Sequence, residues 1–463
     1  MSKTFTHQYL PNSDQKIRKI MLDEINVKDI EQLFMDIPEE VKLKRELNIP
    51  EALSEYQLRY FIEKILSKNV NINEISTFLG SGCYPHYVPA AVNEILNRSE
   101  FATSYTPYQP ETSQGLLQAL FEYQSLICEL TGMEYSNSSL YDGSTALGEA
   151  ARMVKRITGR NEFLIPYYIA PEKLSTLRTY AEPAGIKVIK IKQNKEDGQL
   201  DIDDLEKKLS DRTAGLYFEN PSYLGCYEID VETISELAHK REALVIVGVD
   251  PISLGILKPP GEYGADIVVG EGQSLGNMMN FGGPLLGIFA CNSNKLLRQM
   301  PGRIIGMTTS LESNERAFCM VLQTREQHIR RERATSNVCS NEALCAVAAA
   351  VYLSLLGPTG LKSLCETIIT KSHYTIEKLD SIDGIKTPLI DAKHFKEFTV
   401  NFDKTNLKVE EIHRLLLGKK IHGGKIIKND FPELGETSLY CVTETHSQKD
   451  IDKLVNSLNE IIR

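Results

Sequence analysis

Between residues 163 and 290 short apolar runs alternate with amphipathic ones, and this alternation constrains the fold more than any other feature of the chain. Phe163–Ile165, Ile186–Ile191, Ala214–Phe218, Ala243–Val249, Asp266–Val269 and Leu285–Ala290 read as strands, with helical patterns at Pro171–Ala181, Ile202–Leu209 and Val231–Arg241 between them. Strand, helix, strand at these lengths implies right-handed crossovers and a mostly parallel sheet covered on both faces. Ligands of such sheets collect beyond the carboxyl ends of the strands, the edge to which Glu219-Asn-Pro221, Asp250 and Glu271 would point.

The flanks read differently. Residues 1–75 carry short helical patterns at Ser13–Leu22, Val27–Phe34 and Ser54–Ser67, the last with Leu58, Ile62, Ile65 and Leu66 along one face. Pro11, Pro38 and Pro50 punctuate them, which suggests an arm of helices wrapping a main body. Thr112 or Ser113 can cap a helix whose Leu116, Leu120, Tyr123, Ile127 and Leu130 share a face, and Gly132 ends it. After Pro301 the mixed-charge stretch 323–333 leads into an Ala-rich helix, Ala343–Leu356, closed by Gly357-Pro358. Helices at 362–379, 409–417 and 448–462 and strands at Phe398–Phe402 and Ser438–Val442 complete a small α+β domain. The expected division is an arm at 1–75, a large α/β domain at 76–335, and a linking helix with the small domain at 336–463, a length sufficient for large cores.

A net charge of −10 argues against general affinity for nucleic acid or anionic membranes. The 9 cysteines form no C-x-x-C pair and have no histidine at metal-ligand spacing, so reduced core thiols in a cytoplasmic protein, and no metal, are expected. Met1–Leu10 lacks a continuous apolar stretch and no run of about 18 apolar residues occurs, so neither a secretory signal nor a membrane span is expected.

Several segments could carry chemistry. The Gly, Pro and aromatic-rich stretch Phe78–Pro89 and the stretch Tyr105-Thr-Pro-Tyr-Gln-Pro-Glu111 are either solvent turns or walls of a site. Tyr141-Asp-Gly-Ser-Thr145 opens into a helix; its amides suit a phosphate or carboxylate, and capping by Asp142 or Ser144 is the ordinary alternative. Asp250 can serve a metal, a ribose hydroxyl or a protonated ring nitrogen, or cap a turn before Pro251. No P-loop and no G-x-G-x-x-G opens the first crossover, and Phe281-Gly-Gly-Pro284 reads as a tight turn. His86, His328 and His422 are candidate acids or bases. The arginines of 325–333 either fork onto an anion or, with Glu326 and Glu332, lace an exposed helix with ion pairs.

Taken together, Phe78–Pro89, Arg98-Ser-Glu-Phe101, 105–111, Leu130-Thr-Gly-Met133, 141–145, Val249–Gly255, Lys258–Gln273, Phe281–Pro284 and Glu326–Asn337 resemble the α subunit (subunit 1) family of two-chain glycine dehydrogenase (decarboxylating), the P-protein of the glycine cleavage system. The resemblance runs from the arm to the last domain. It implies an aspartate-aminotransferase-like fold, type I of the pyridoxal-phosphate-dependent transferases, with pyridoxal phosphate held by the partner β subunit (subunit 2) of an α₂β₂ heterotetramer. It also implies glycine decarboxylation with release of CO₂ and transfer of the aminomethyl group to the lipoyl group of H-protein.

The residues agree with that division. A Schiff-base lysine and an acid beneath the ring are needed to use this cofactor, and the position expected for the lysine, counted from Asp266, is Ser274. Between Arg241 and Asn294 the only lysine is Lys258, in a Pro-rich loop too close to Asp250 to serve. The chain is therefore expected to have no catalytic residue of its own cofactor site, with Ser144, Thr145 and Asp250 as remnants. Tyr84, His86, Tyr105, Tyr108, Gln109 and Glu111, with His328 and Arg330, are expected to line the glycine or lipoyl channel of the partner's site. The alternatives are a structural scaffold for β, a self-sufficient pyridoxal-phosphate enzyme with an unexpected lysine, and an isolated amino-acid-binding regulator.

Overall fold

The computed structural model describes Thr6 and residues 8–463, so part of the Met1–Leu10 reading lies outside the described residues. The chain divides into two compact units, Met1–Val70 and Asn71–Arg463. In the first, Asp14 caps the helix Gln15–Glu24 through the amides of Lys16 and Ile17, and Ser54 and Gln57 form a capping box on the helix Glu55–Leu66. The helix expected at 27–34 is reduced to a 3₁₀ turn, Ile30–Phe34, because Asp29 supplies the cap only there. No described residue of this unit is buried, and Leu58, Ile62, Ile65 and Leu66 are all exposed.

The second unit is organised by a seven-stranded sheet: β1 Tyr135–Ser136, β2 Glu162–Pro166, β3 Lys187–Ile191, β4 Thr213–Glu219, β5 Leu244–Val249, β6 Ile267–Glu271 and β7 Gly287–Cys291. Its order is β1-β7-β6-β5-β4-β2-β3. β2 to β6 run parallel, and β7 lies antiparallel to both β6 and β1. The strands are apolar at consecutive positions because both faces are covered. Leu216, Phe218, Val245 and Val247 enter one core, while Tyr217, Ile246, Ile267 and Val269 enter the other. The helices Gly143–Thr158 and Pro171–Ala181 belong to the second core, and Val231–Lys240 to the first.

An antiparallel hairpin, Ile304–Thr309 with Arg316–Val321, lies between Pro301 and the mixed-charge stretch, where the sequence reading places no element. Few of its residues are buried, Ile304, Ile305, Phe318 and Met320 among them, so it shows little apolar pattern. The stretch 323–333 is also corrected. It forms three short turns, Gln323–Arg325, Gln327–Arg330 and Arg331–Arg333, because Arg331 adopts a left-handed φ of 55° and stops the helix.

Ala343–Asp380 is one helical run bent at Gly357, whose φ of 58° and ψ of −177° are not helical, so Pro358 opens its second half. Among the described residues it is the one helix long and apolar enough by length and composition to cross a membrane; half of its apolar window is buried. Cys345 to Ala350, Tyr352 and Leu353 sit in the first core, the place of a central helix of a globular body.

The C-terminal part is a three-stranded antiparallel sheet, Glu397–Asn401, Thr437–Cys441 and Lys425–Ile426, backed by Val409–Gly418 and Gln448–Ile462. Ser76–Thr77 pairs in parallel with Ile421–His422, and Phe78 enters the core of this part. The glycine and aromatic loop that follows is thereby hung from the C-terminal sheet. It reaches the large sheet from there.

Candidate functional site

The carboxyl ends of β4, β5 and β6 bring Glu219, Asp250 and Glu271 to one cavity of about 280 Å³, as the strand-end reading expects. The start of the helix Gly143–Thr158 closes one side, and the loop carrying Tyr84 another. Gly143 packs closely on the strand end: a Cβ there would lie 3.0 Å from the Glu271 amide nitrogen and from the Gly270 carbonyl carbon, so the strand end would have to shift slightly to admit one.

Asp250 does two things. Its Oδ1 accepts the Ile252 amide at 3.1 Å, the turn expected before Pro251, and its Oδ2 lies 2.6 Å from the Nζ of Lys396. Lys396 precedes the strand Glu397–Asn401 and is 2% exposed. Its Nζ also sits 3.6 Å from the centroid of the Tyr84 ring and 3.1 Å from His86 Nε2. An ammonium only donates, so Nε2 accepts and the His86 proton is on Nδ1, which donates to Glu444 Oε2 at 2.9 Å. Burial lowers the His86 pKa, with the Lys396 charge acting the same way, and keeps the ring neutral. Burial alone would raise Glu444, yet the bonds from His86 and the Tyr87 amide hold it below the usual value.

Glu397 points into the same cavity. Its Oε2 accepts the Tyr84 hydroxyl at 2.7 Å, and burial raises the pKa of both groups. Gly225 lets the neighbouring loop cross this strand: its φ is +88°, and a Cβ would stand 1.9 Å from the Glu397 carbonyl oxygen. On the other wall Glu219 Oε1 accepts the Tyr217 hydroxyl at 2.7 Å and pairs with Lys173, while its Oε2 is buried without a partner.

Glu271 is the most tightly held acid. Oε2 accepts the Gly143 amide at 2.9 Å, and Oε1 accepts the amides of Gln273 and Leu286, each at 2.9 Å. Even so, burial pushes its carboxyl up to about 7. Asp142 caps the same helix, accepting from Thr145 N at 2.9 Å and Thr145 Oγ1 at 2.6 Å, so the ordinary capping reading of this segment holds.

Ser274, where a lysine was sought, is 3% exposed and its Oγ is buried without a hydrogen bond. Gln273 beside it is a clamp: its Oε1 accepts the Tyr84 amide at 3.0 Å and its Nε2 donates to the Tyr84 carbonyl at 3.2 Å. Lys258 lies away from the cavity and pairs with Glu232 at 2.9 Å. The cavity's own lysines, Lys173 and Lys396, are both in ion pairs. Among the described residues no group of three or more His, Cys, Asp or Glu could hold a metal.

The other sequence candidates lie elsewhere on this unit. Tyr105, Tyr108, Gln109, Glu111, His328 and Arg330 are all exposed. Tyr108 and His328 line one groove of about 500 Å³ together with Arg331 and Cys339. Buried Arg303 supports Tyr108 from behind, its guanidinium carbon 5.2 Å from the ring centroid and one nitrogen 3.0 Å from the hydroxyl. Tyr105 reaches the same segment through Ser340 Oγ at 3.4 Å. Cys339, on the groove, donates its amide to the Tyr141 hydroxyl at 3.2 Å, and Tyr141 directly precedes Asp142 of the cavity wall. Arg330 gives its Nε to the Thr324 carbonyl. Arg325 makes no fork onto an anion; buried, it donates to the carbonyls of Met300, Gly302 and Leu322.

Tyr84 thus lines this chain's own cavity and His86 stands behind it against Lys396, whereas the other six are exposed. The residues missed from the sequence are Lys173, Lys396, Glu397, Glu444 and Arg303. Charges beside an apolar strand, as in Lys396-Glu397-Phe398, look like solvated ends. Only the glycine and aromatic loop packed over them, itself legible as a wall, signals that they are inside.

The sequence profile of the glycine cleavage system P-protein family matches residues 7–458. A probable glycine dehydrogenase (decarboxylating) subunit 1 of Staphylothermus marinus is 48% identical over 99% of this chain and 98% of its own. One of Pyrococcus horikoshii is 50% identical over 98% and 100%. A crystal structure of glycine decarboxylase (P-protein) of the glycine cleavage system, in inhibitor-bound form, superposes with a TM-score of 0.87 at 36% identity, covering 97% of this chain and 98% of that one. A Burkholderia pseudomallei sphingosine-1-phosphate lyase, 12% identical over 91% of this chain and 94% of its own with a TM-score of 0.65, shares the fold.

Proposed function

The chain belongs to the glycine cleavage system P-protein family, and from that premise we propose that it is the subunit of glycine decarboxylase that does not anchor the cofactor. Its fold is the aspartate-aminotransferase-like type I fold expected from the sequence. With a partner subunit holding pyridoxal phosphate in an α₂β₂ assembly, it decarboxylates glycine, releases CO₂ and passes the aminomethyl group to the lipoyl group of H-protein. The assembly works in the cytoplasm, in keeping with nine free cysteines.

The observation that carries this reading is Ser274. Pyridoxal phosphate needs an amine to bond its aldehyde, donors for its phosphate and an acid for its ring nitrogen. Here the position counted along the sequence for the amine holds Ser274, a buried hydroxyl, the Gly143 amide is already bonded to Glu271, and Asp250 is already paired with Lys396. The residues present do not fit the group, and no step is routed through it in this chain.

What this chain contributes is an outward wall. Tyr105 and Tyr108 combine an apolar ring that excludes water with a hydroxyl that can bond a polar substrate. Arg303 fixes Tyr108 from behind, so its orientation is set before any partner arrives. With Gln109, Glu111, His328 and Arg330 they face the partner's glycine and lipoyl channel.

The test is spectroscopic and kinetic. The purified chain, given pyridoxal phosphate, should lack the visible band of a lysine-bound cofactor that borohydride bleaches, and it should decarboxylate glycine only after the partner subunit is added. A bleachable band at one equivalent in the chain alone would establish the self-sufficient alternative.

A further inference from the structure

The cavity of this chain holds its own charges at the two points where a phosphate-bearing aromatic cofactor would be gripped. We propose that Glu271 and Lys396 are internal counter-ions that close the cavity to such cofactors, the Glu271 carboxylate taking the amide at the helix start and the Lys396 ammonium taking the strand-end aspartate.

The first point is the start of the helix Gly143–Thr158. A helix of this length gathers anions at its N-terminus, where amides lack partners and the dipole is positive. Glu271 already supplies an anionic oxygen there, 2.9 Å from Gly143 N, and Asp142 supplies a second at Thr145 N. Glu271 is not a stray carboxylate. Its other oxygen is fixed by the Gln273 and Leu286 amides, and the helix start packs against the strand end so closely that a Cβ at Gly143 would lie 3.0 Å from its backbone. A phosphate brought to this spot would meet two carboxylates in a buried setting, where like charges repel more strongly than in water.

The second point is Asp250. A protonated ring nitrogen would compete for the oxygen that Lys396 holds at 2.6 Å, and Lys396 is itself fixed by the Tyr84 ring and His86 Nε2. Both replacements preserve the charge pattern of a filled site, anion at the helix and cation at the aspartate, with side chains of the chain itself. The cavity therefore keeps its shape without a ligand, and cofactor supplied to the assembly is left to the partner's site. This inference concerns occupancy of one cavity and holds whichever reaction the assembly performs.

The experiment uses the full chain at mildly alkaline pH, where Glu271 is ionised, with two probes: inorganic phosphate, and 4-deoxypyridoxine 5′-phosphate, which lacks the aldehyde and so avoids reaction with surface lysines. Binding is read by equilibrium dialysis and by protection against thermal unfolding. The native chain should bind neither saturably in the micromolar range. Glu271→Ala should gain phosphate affinity by at least about tenfold, the order expected when one repulsive charge leaves a helix start. Lys396→Met in that background should improve the analogue but not phosphate. Micromolar binding of the analogue by the native chain would overturn the proposal without any variant. So would a folded Glu271→Ala, or the isosteric Glu271→Gln if alanine does not fold, that gains no phosphate affinity.

Discussion

Replacing Lys396 by methionine tests whether the buried charges of the cavity are coupled as the geometry requires. Methionine keeps most of the stem's volume and removes only the ammonium. That group is 2.6 Å from Asp250 Oδ2 and 3.6 Å from the centre of the Tyr84 ring, in a side chain 2% exposed. Breaking a buried pair by removing one partner costs roughly 3–5 kcal/mol because the other charge is stranded, and loss of a desolvated cation–π contact adds about 1–2 kcal/mol that overlaps with it. We expect Lys396→Met to lower the unfolding free energy of the full chain in urea by about 4 kcal/mol, a large part of the ~5–15 kcal/mol typical of folded domains. Asp250→Asn alone should cost a similar amount, yet the double variant should recover at least about 2 kcal/mol of the sum, since neither charge is then stranded. The m-value must stay constant for the comparison to hold. A loss below about 1 kcal/mol, or strictly additive single losses, would refute the coupling.

Three further outcomes follow from other contacts. Burial raises Glu271 from 4.5 to about 7, so the folded chain keeps that proton after the unfolded chain has lost it; this contribution is complete below about 4.5 and falls by roughly 3 kcal/mol as pH rises through 7. The stability difference between the native chain and Glu271→Gln should therefore move against the native chain across that window, and a flat difference would contradict the burial of the charge. Tyr108→Phe, with assembly checked by gel filtration, should slow glycine decarboxylation by the complex about tenfold, the worth of one hydrogen bond of roughly 1.4 kcal/mol; an unchanged rate would favour the scaffold reading. Arg325→Ala should destabilise by roughly 2–4 kcal/mol by stranding carbonyls that its guanidinium satisfies, and Arg325→Lys should not restore the loss, as shown by denaturant midpoints.

The sheet was legible because burial on both faces writes itself as consecutive apolar residues: Ala214–Phe218 lies within the observed Thr213–Glu219, and Ala243–Val249 overlaps Leu244–Val249. Tyr135–Ser136 and the hairpin at 304–321 were not, since a two-residue edge strand and a largely exposed ribbon leave no such run. The stretch 323–333 misleads for a different reason. Arginine reads as solvated charge, yet Arg325 is inside, bonding carbonyls far away in sequence. In the site the same asymmetry recurs. Acids at strand ends follow from the sheet, while Lys396, which meets Asp250, and Glu444, which meets His86, come from the C-terminal part, and only tertiary packing brings them there.

That asymmetry changes how Gln273-Ser274 is understood. Ser274 Oγ is buried without a partner. Gln273, however, uses both ends of its amide on the backbone of Tyr84, and Tyr84 in turn covers Lys396 and bonds Glu397. A buried amide with both ends bonded fixes its neighbours rather than leaving them free to admit a ligand. Gln273 thus anchors the loop that lines one side of the cavity. On the proposed reading, a lysine placed at 274 alone would still face a helix start bonded to Glu271 and an aspartate paired with Lys396, so the misfit to the cofactor is spread over at least three positions and does not rest on a single side chain.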